Sequence, residues 1–268
     1  MHGLGNDFVV LDGRKESLAL TEITVQLISD RHFGVGCDQL IVLEQPKNNS
    51  GDVFMRIHNA DGGEVGACGN ATRCIASMLM GETGRTSIGI ETLAGLLQAT
   101  AAHDDWVSVD MGPVYTKWNE IPLAKDVDTL HLPIQADGLP DPVGVNVGNP
   151  HMVFIVEDAT VAPIDELGFQ LECHPLFPER TNVQMAEVLS FDRIRLKTWE
   201  RGVGRTSASG SSACATLAAA HLRGLVGRSV KIEMDGGILE ISWRDDNHIV
   251  QTGPVSTSFT GVIDPSLL

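Results

Sequence analysis

Basic side chains are scarce in this 268-residue chain, in which 19 lysines and arginines face 35 aspartates and glutamates for a formal charge of −16 at pH 7. That balance repels a nucleic-acid backbone and an anionic membrane surface alike, so no nucleic acid and no membrane is expected as partner, while a small zwitterion stays acceptable. No apolar run approaches the length of a membrane span, and the start, Met1-His2-Gly3-Leu4-Gly5, has neither a basic segment nor an apolar signal core. A cytoplasmic protein is the expectation. Paired cysteines are lacking too: Cys37, Cys68, Cys74, Cys173 and Cys214 are odd in number and show none of the short spacings of a zinc site or a secreted disulfide framework. Most of the five are expected as buried free thiols, and no metal is signalled.

What is present is an ordinary globular composition, 43% hydrophobic and 20% charged, with 28 glycines that promise tight turns. The length leans toward two domains. An internal repeat supports that division. Gly5-Asn6 returns as Gly148-Asn149 and Gln39 as the amide Asn182, both 143 positions later (149 less 6, 182 less 39). Asn59 matches Glu200, and Cys68-Gly69 matches Ser209-Gly210, both at 141 (200 less 59, 209 less 68). The repeat closes with Val109-Asp110-Met111-Gly112-Pro113-Val114 against Val250-Gln251-Thr252-Gly253-Pro254-Val255.

Local signals run in parallel through both halves. Leu20-Thr21-Glu22 opens a short amphipathic helix with Thr21 as N-cap and Gly34 beyond its end, and Pro163-Ile164-Asp165-Glu166 opens its counterpart. Strand segments follow, Leu40 to Leu43 and Ile194 to Trp199. A second helix comes next in each half, from about Asn70 to Met80 with a stop near Gly81, and from about Ser211 to Leu222 with a stop near Gly224. The latter is small and apolar almost all round, so it belongs inside its domain. These features predict an α+β fold of two pseudo-symmetric domains, each mostly antiparallel β-strands wrapped around a central helix. The boundaries read as residues 1–112, completed by 254–268, and residues 113–253, which lets each half lend its closing strand to the other.

Chemistry concentrates where each chain half turns through glycine into its central helix, at Cys68-Gly69-Asn70 and Ser209-Gly210-Ser211. The first turn of a helix leaves N–H groups unpaired and carries partial positive charge, so two such ends facing one cleft suit a carboxylate. The same field favours the thiolate of Cys68 near neutral pH, below the thiol reference of about 8.5. Two proton-transfer groups on opposite faces and a carboxylate clamp are what inversion at an amino acid's α-carbon requires. No lysine lies in either motif, so no pyridoxal-type cofactor is signalled. Taken singly, Asn6, Asn59 and Asn149 read equally as turn formers, His151 as a core histidine and Glu200-Arg201 as a solvated pair; fixed repeat spacing is what lifts them above that. Cys74 and Cys214, within the helices, read as packing residues.

The motifs His2-Gly3-Leu4-Gly5-Asn6-Asp7-Phe8, Asn59-Ala60-Asp61-Gly62, Cys68-Gly69-Asn70, Gly148-Asn149-Pro150-His151 and Trp199-Glu200-Arg201-Gly202 together resemble the diaminopimelate epimerase family over essentially the whole chain. The resemblance implies interconversion of LL- and meso-diaminopimelate without a cofactor, in lysine and cell-wall precursor synthesis, by a homodimer. It implies Cys68 and position 209 as the two acid/base groups. Gly69, Asn70, Gly210 and Ser211 would offer donors to the reacting carboxylate, and Asn6, Gln39, Asn59, Asn149, Asn182, Glu200 and Arg201 would hold the rest of the substrate. His151 and Glu200 would position groups near the reacting centre. An arginine fork suits a distal carboxylate, and a carboxylate with amides suits an ammonium.

One position departs from the family's pattern, which has cysteine where this chain has Ser209. Serine keeps the shape, but its hydroxyl is a far weaker acid and a poor base. Either the serine was introduced to stop two facing thiols from oxidising, and the chain is a crippled epimerase, or it is native and serves a one-base reaction such as dehydration of a hydroxyproline-like amino acid, as in relatives of the proline racemase superfamily. A third reading is an amino-acid-binding protein without turnover.

Overall fold

The computed structural model describes residues 1–48, 50–136, 138–264 and 267. The chain divides into two compact units, residues 1–109 with 253–268, and residues 110–252. The first runs β1 (His2–Gly3), β2 (Asn6–Asp12), α1 (Glu22–Ser29), β3 (Gln39–Glu44), β4 (Val53–Asn59), β5 (Glu64–Val65), α2 (Gly69–Thr83), β6 (Ser87–Thr92), β7 (Gly95–Ala101) and β8 (Val107–Pro113), the last crossing the division. The second runs β9 (Val143–Asn146), β10 (Pro150–Val156), α3 (Ile164–Glu172), β11 (Asn182–Ser190), β12 (Arg193–Glu200), β13 (Gly204–Thr206), α4 (Gly210–Leu222), β14 (Ser229–Met234), β15 (Gly237–Trp243) and β16 (His248–Gly253).

The two element orders coincide, and so do the strand orders: β1-β2-β3-β4-β6-β7-β8 with β5 on β4, and β9-β10-β11-β12-β14-β15-β16 with β13 on β12. Most pairs are antiparallel. In each unit the crossover through its first helix makes one parallel pair, β2 with β3 and β10 with β11, and the crossover through its second helix makes another, β4 with β6 and β12 with β14. Register repeats as well: Phe8 lies opposite Gln39 in the first unit and His151 opposite Asn182 in the second, each residue displaced by the repeat offset.

Local chemistry accounts for the helices. Thr21 caps α1 by accepting from Thr24 N at 3.1 Å, as its sequence position predicts. The Asp30 carboxylate accepts from the backbone N–H groups of His32 and Phe33, which turns the chain out of α1. Val25 and Ile28 on α1 pack against Cys37, Leu40 and Val42. Residues 212–220 of α4 are buried throughout, and the helix lies against β9, β10, β11, β12, β14 and β15. Alanine and cysteine make this possible, because small side chains let strands close round a helix on every side. Among the cysteines, Cys37, Cys74 and Cys214 are buried as expected, whereas Cys173 is exposed where it ends α3.

The stop near Gly81 is corrected by the structure. The helix α2 continues through Gly81 to Thr83, and Gly84 ends it in the left-handed conformation at φ 71°, its N–H donating to Met80 O. A glycine signals a stop only where φ must turn positive, and Gly81 has ordinary helical geometry with open space around it. In urea unfolding, Gly81→Ala is therefore expected to stabilise by about 0.5–1 kcal/mol, and Gly84→Ala to destabilise by about 1 kcal/mol. Equal effects of the two would contradict this assignment of the helix end.

Candidate functional site

In the first unit, polar side chains collect around the start of α2. Pairing of β3 with β4 sets Gln39 opposite Asn59, and Gln39 Nε2 donates to Asn59 Oδ1 at 3.0 Å. Asn59 also forms a turn, its carbonyl accepting from Gly62 N at 2.9 Å, as the turn-former reading has it. Cys68 is the N-cap residue of α2, half-buried, with φ −147° and ψ 113°. Its sulfur lies 3.8 Å from Asn6 Oδ1, and Asn70 Nδ2 donates to the same oxygen at 3.2 Å. Asn6, Cys68, Gly69 and Asn70 thus form one group, with Gln39 and Asn59 side by side on the neighbouring strands. Gly3 in β1 lies close to this group: a Cβ there would stand 3.0 Å from the guanidinium of Arg73, which donates to Asn70.

The second unit repeats this arrangement with different side chains. Ser209 caps α4 with φ −142° and ψ 119°, close to the backbone of Cys68, so the hydroxyl stands in the place a thiol would take. It donates to Glu200 Oε2 at 2.9 Å, and Thr206 Oγ1 donates to the other carboxylate oxygen at 2.7 Å. Glu200 polarises the hydroxyl but does not turn serine into a thiol-like base. Gly210 admits no side chain, since a Cβ would come 2.2 Å from Oε1 of the buried Gln251. Ser211 is half-buried in the first turn. Asn149 accepts from His151 Nε2 at 2.8 Å. Asn182 is buried and fully engaged, donating to Pro150 O and accepting from Arg201 N, both at 3.0 Å. Arg201 is exposed, with Nη1 on Glu179 O at 2.9 Å.

Some supporting residues had no signal in the motifs. Glu172, buried at the end of α3, accepts from Trp199 Nε1 at 2.8 Å and Gly202 N at 3.0 Å, and so holds the turn that carries Glu200 and Arg201. Gln184 donates to Ser212 in the first turn of α4 at 3.0 Å. Strand alternation puts Gln184 on the same face as Asn182, two positions away. Asp38, next to Gln39, accepts from Asn6 Nδ2 at 3.1 Å.

Burial separates the cysteines by role. It pushes the Cys74 thiol up to about 12 and raises that of Cys37, so both stay protonated and inert. His151 is fully buried, and burial, reinforced by the Arg201 charge, pushes its pKa down to about 3. The ring is neutral, and its Nε2–H serves the Asn149 carbonyl.

A family model described as diaminopimelate epimerase matches residues 1–117 and 143–258. A protein named diaminopimelate epimerase from Rhodospirillum centenum is 53% identical over 268 residues, covering all of this chain and 92% of that protein. Its namesake from Acidiphilium cryptum is 50% identical over 268 residues, covering all of this chain and 96% of that protein. Among solved structures, a hydroxyproline epimerase from Agrobacterium vitis shares the fold at a TM-score of 0.70 and 18% identity, covering 99% of this chain and 92% of that one. So does a phenazine biosynthesis protein of the PhzF family from Bacillus anthracis, at 0.63 and 17%, covering 94% and 91%.

The buried imidazole has a pH signature. Its folded pKa lies below the unfolded value, so the unfolded chain takes up the proton first. The associated stability is complete above about pH 6.5 and is lost as pH falls toward about 3. Replacing His151 with phenylalanine, the residue type that Phe8 supplies at the equivalent place, is expected to flatten the stability profile between about pH 6 and 4.5, where His151 adds a slope of up to about 1.4 kcal/mol per pH unit. Urea midpoints across that range check it, and parallel profiles for the two proteins would show that His151 is not the titrating group.

Proposed function

This chain belongs to the diaminopimelate epimerase family, and from that premise we propose that its chemistry is cofactor-independent proton transfer at an α-carbon of diaminopimelate, in the LL to meso interconversion. The observation that carries the reading is the pair of helix-capping residues, Cys68 and Ser209, with near-identical backbone angles and each hydrogen-bonded to a motif side chain. First-turn N–H groups at Gly69, Asn70, Gly210 and Ser211 receive the reacting carboxylate. Asn6, Gln39, Asn59, Asn149, Glu200 and Arg201 hold the remaining polar groups of the substrate, and buried Asn182 acts by holding Arg201. His151 positions the amide of Asn149, and Glu200 positions residue 209.

A thiolate at Cys68 removes the α-proton on its side, and the same sulfur returns a proton from solvent to that side. Inversion needs a second group to deliver a proton to the other face, and Ser209, the repeat equivalent of Cys68, is too weak an acid to serve well. As written, the chain is a single-thiol variant that exchanges far faster than it inverts. The reading further assigns it to the cytoplasm as a homodimer, in keeping with the family resemblance. Among the described residues no helix is long and apolar enough to cross a membrane.

Incubation with LL- or meso-diaminopimelate in deuterium oxide tests this. One stereoisomer is expected to gain α-deuterium, with inversion slower by roughly 10²–10⁴-fold. Ser209→Cys is expected to restore inversion, and Cys68→Ala to abolish exchange. Absence of exchange from either isomer would identify a binder, and loss of water from a hydroxylated amino acid would identify a dehydratase; both outcomes reject the proposal.

A further inference from the structure

Around Cys68 the structure contains a hydrogen-bonded chain whose two ends are permanently charged. Arg31 forms a bidentate pair with Asp7, both contacts at 2.8 Å, and its Nη2 reaches Asp38 Oδ1 at 2.7 Å. Asp38 Oδ2 accepts from Asn6 Nδ2 and from Asp7 N, each at 3.1 Å, while Asp38 N donates to Asp7 Oδ1 at 2.8 Å. From the other end, buried Arg73 donates to Asn70 Oδ1 at 2.7 Å, and Asn70 Nδ2 donates to Asn6 Oδ1 at 3.2 Å.

An ionised carboxylate only accepts and a guanidinium only donates. Asp38 therefore draws the NH₂ of Asn6 toward itself, and Arg73 draws the carbonyl of Asn70. Both constraints agree on one orientation of each amide. Flipping Asn6 would set its carbonyl against the Asp38 carboxylate and its NH₂ against that of Asn70, two unfavourable pairs at once. The atom left facing the Cys68 sulfur, at 3.8 Å, is the Asn6 oxygen, an acceptor.

The equivalent residue in the second unit is held by its other end. Asn149 gives its oxygen to His151, so its NH₂ is the end left to point elsewhere. Two asparagines related by the repeat thus meet their partners by opposite ends, and only the carboxylate at Asn6 dictates which end, because a neutral imidazole nitrogen can donate or accept.

We propose that Asp38 is a positioning residue for the reaction: by orienting the Asn6 amide it presents a carbonyl oxygen to Cys68, which favours the protonated sulfur over the thiolate. This rests on the reading of Cys68 as an acid/base group. The contact opposes the helix-end field, which favours the thiolate, and so keeps the resting sulfur a proton donor as well as a base. The charged and titratable groups gathered at this corner are Asp7, Arg31, Asp38, Arg73, Cys74 and the Met1 ammonium.

The test uses the full chain and needs no substrate, so it stands apart from the exchange assay above. The rate of Cys68 alkylation by iodoacetamide is followed against pH by peptide mass mapping, in the unmodified protein, Asp38→Ala and Asp38→Asn. Asp38→Ala frees the Asn6 amide to turn an N–H toward sulfur, and alkylation at pH 7 is expected to rise roughly three- to tenfold, with the midpoint at lower pH and the high-pH plateau unchanged. Asp38→Asn keeps an oxygen for Asn6 while removing the charge, and is expected to stay within about twofold of the unmodified protein. A raised plateau with a fixed midpoint would reduce Asp38 to a structural support. Equal shifts in both variants would mean that its charge acts and not its orientation of Asn6, and an unchanged midpoint in Asp38→Ala overturns the proposal outright. As a second readout, α-deuteration of diaminopimelate by Asp38→Ala is expected to change in kcat more than in KM, with rescue by Asp38→Asn.

Discussion

The unpaired N–H groups in the first turn of each central helix are the constraint around which each unit is organised. In the second unit the hydroxyl of Ser209 accepts from Ser212 N at 3.5 Å, whereas the Cys68 side chain makes no capping hydrogen bond to α2. Glycine follows the cap in both cases. At Gly210 the reason is visible, because Gln251 packs where a side chain would begin. The helix interior answers the same demand from the opposite direction. Small residues along α4 let six strands close around it, and that enclosure is what holds the helix start in place at the strand ends.

Once the helix starts are placed, the orientation of the polar side chains follows from which partners can donate and which can accept. Carboxylates and guanidiniums have fixed roles, whereas an asparagine amide has one end of each kind. The network therefore propagates orientation from charged residues outward: Asp38 and Arg73 decide how Asn6 and Asn70 lie, and Glu172 decides how the turn after Trp199 is held. Burial contributes by keeping His151 neutral, since a protonated ring at that depth would carry an unsolvated charge. The same depth keeps Cys74 a thiol, while Cys68, half-buried at the helix start, stays within reach of a ligand.

Much of this was legible in the residues alone. Thr21 announced its cap because threonine before an apolar periodic run has few other roles, and the small apolar stretch from Ala213 to Ala220 announced a buried helix. Cys68 and position 209 stood out because the repeat set them at matching places. Gly81 misled because sequence shows where a glycine is and not what φ it adopts; only the folded chain separates it from Gly84. Cys173 misled because hydrophobic average behaviour says little about one residue at a helix end.

What the sequence determined by itself was the repeat, the places where candidate chemical residues concentrate and the order of elements, because these are properties of spacing and of local preference carried along the chain. What only the tertiary structure decided was which end of each amide faces which neighbour, which imidazole is neutral, and which carboxylate holds which turn. Most of those depend on partners 20 to 64 positions apart, such as Gln39 with Asn59 and Asn6 with Asn70, although Asn149 with His151 and Asn70 with Arg73 are near neighbours in sequence. Hydrogen-bond direction is a property of a pair in space, and for the distant pairs no single stretch of sequence contains both members.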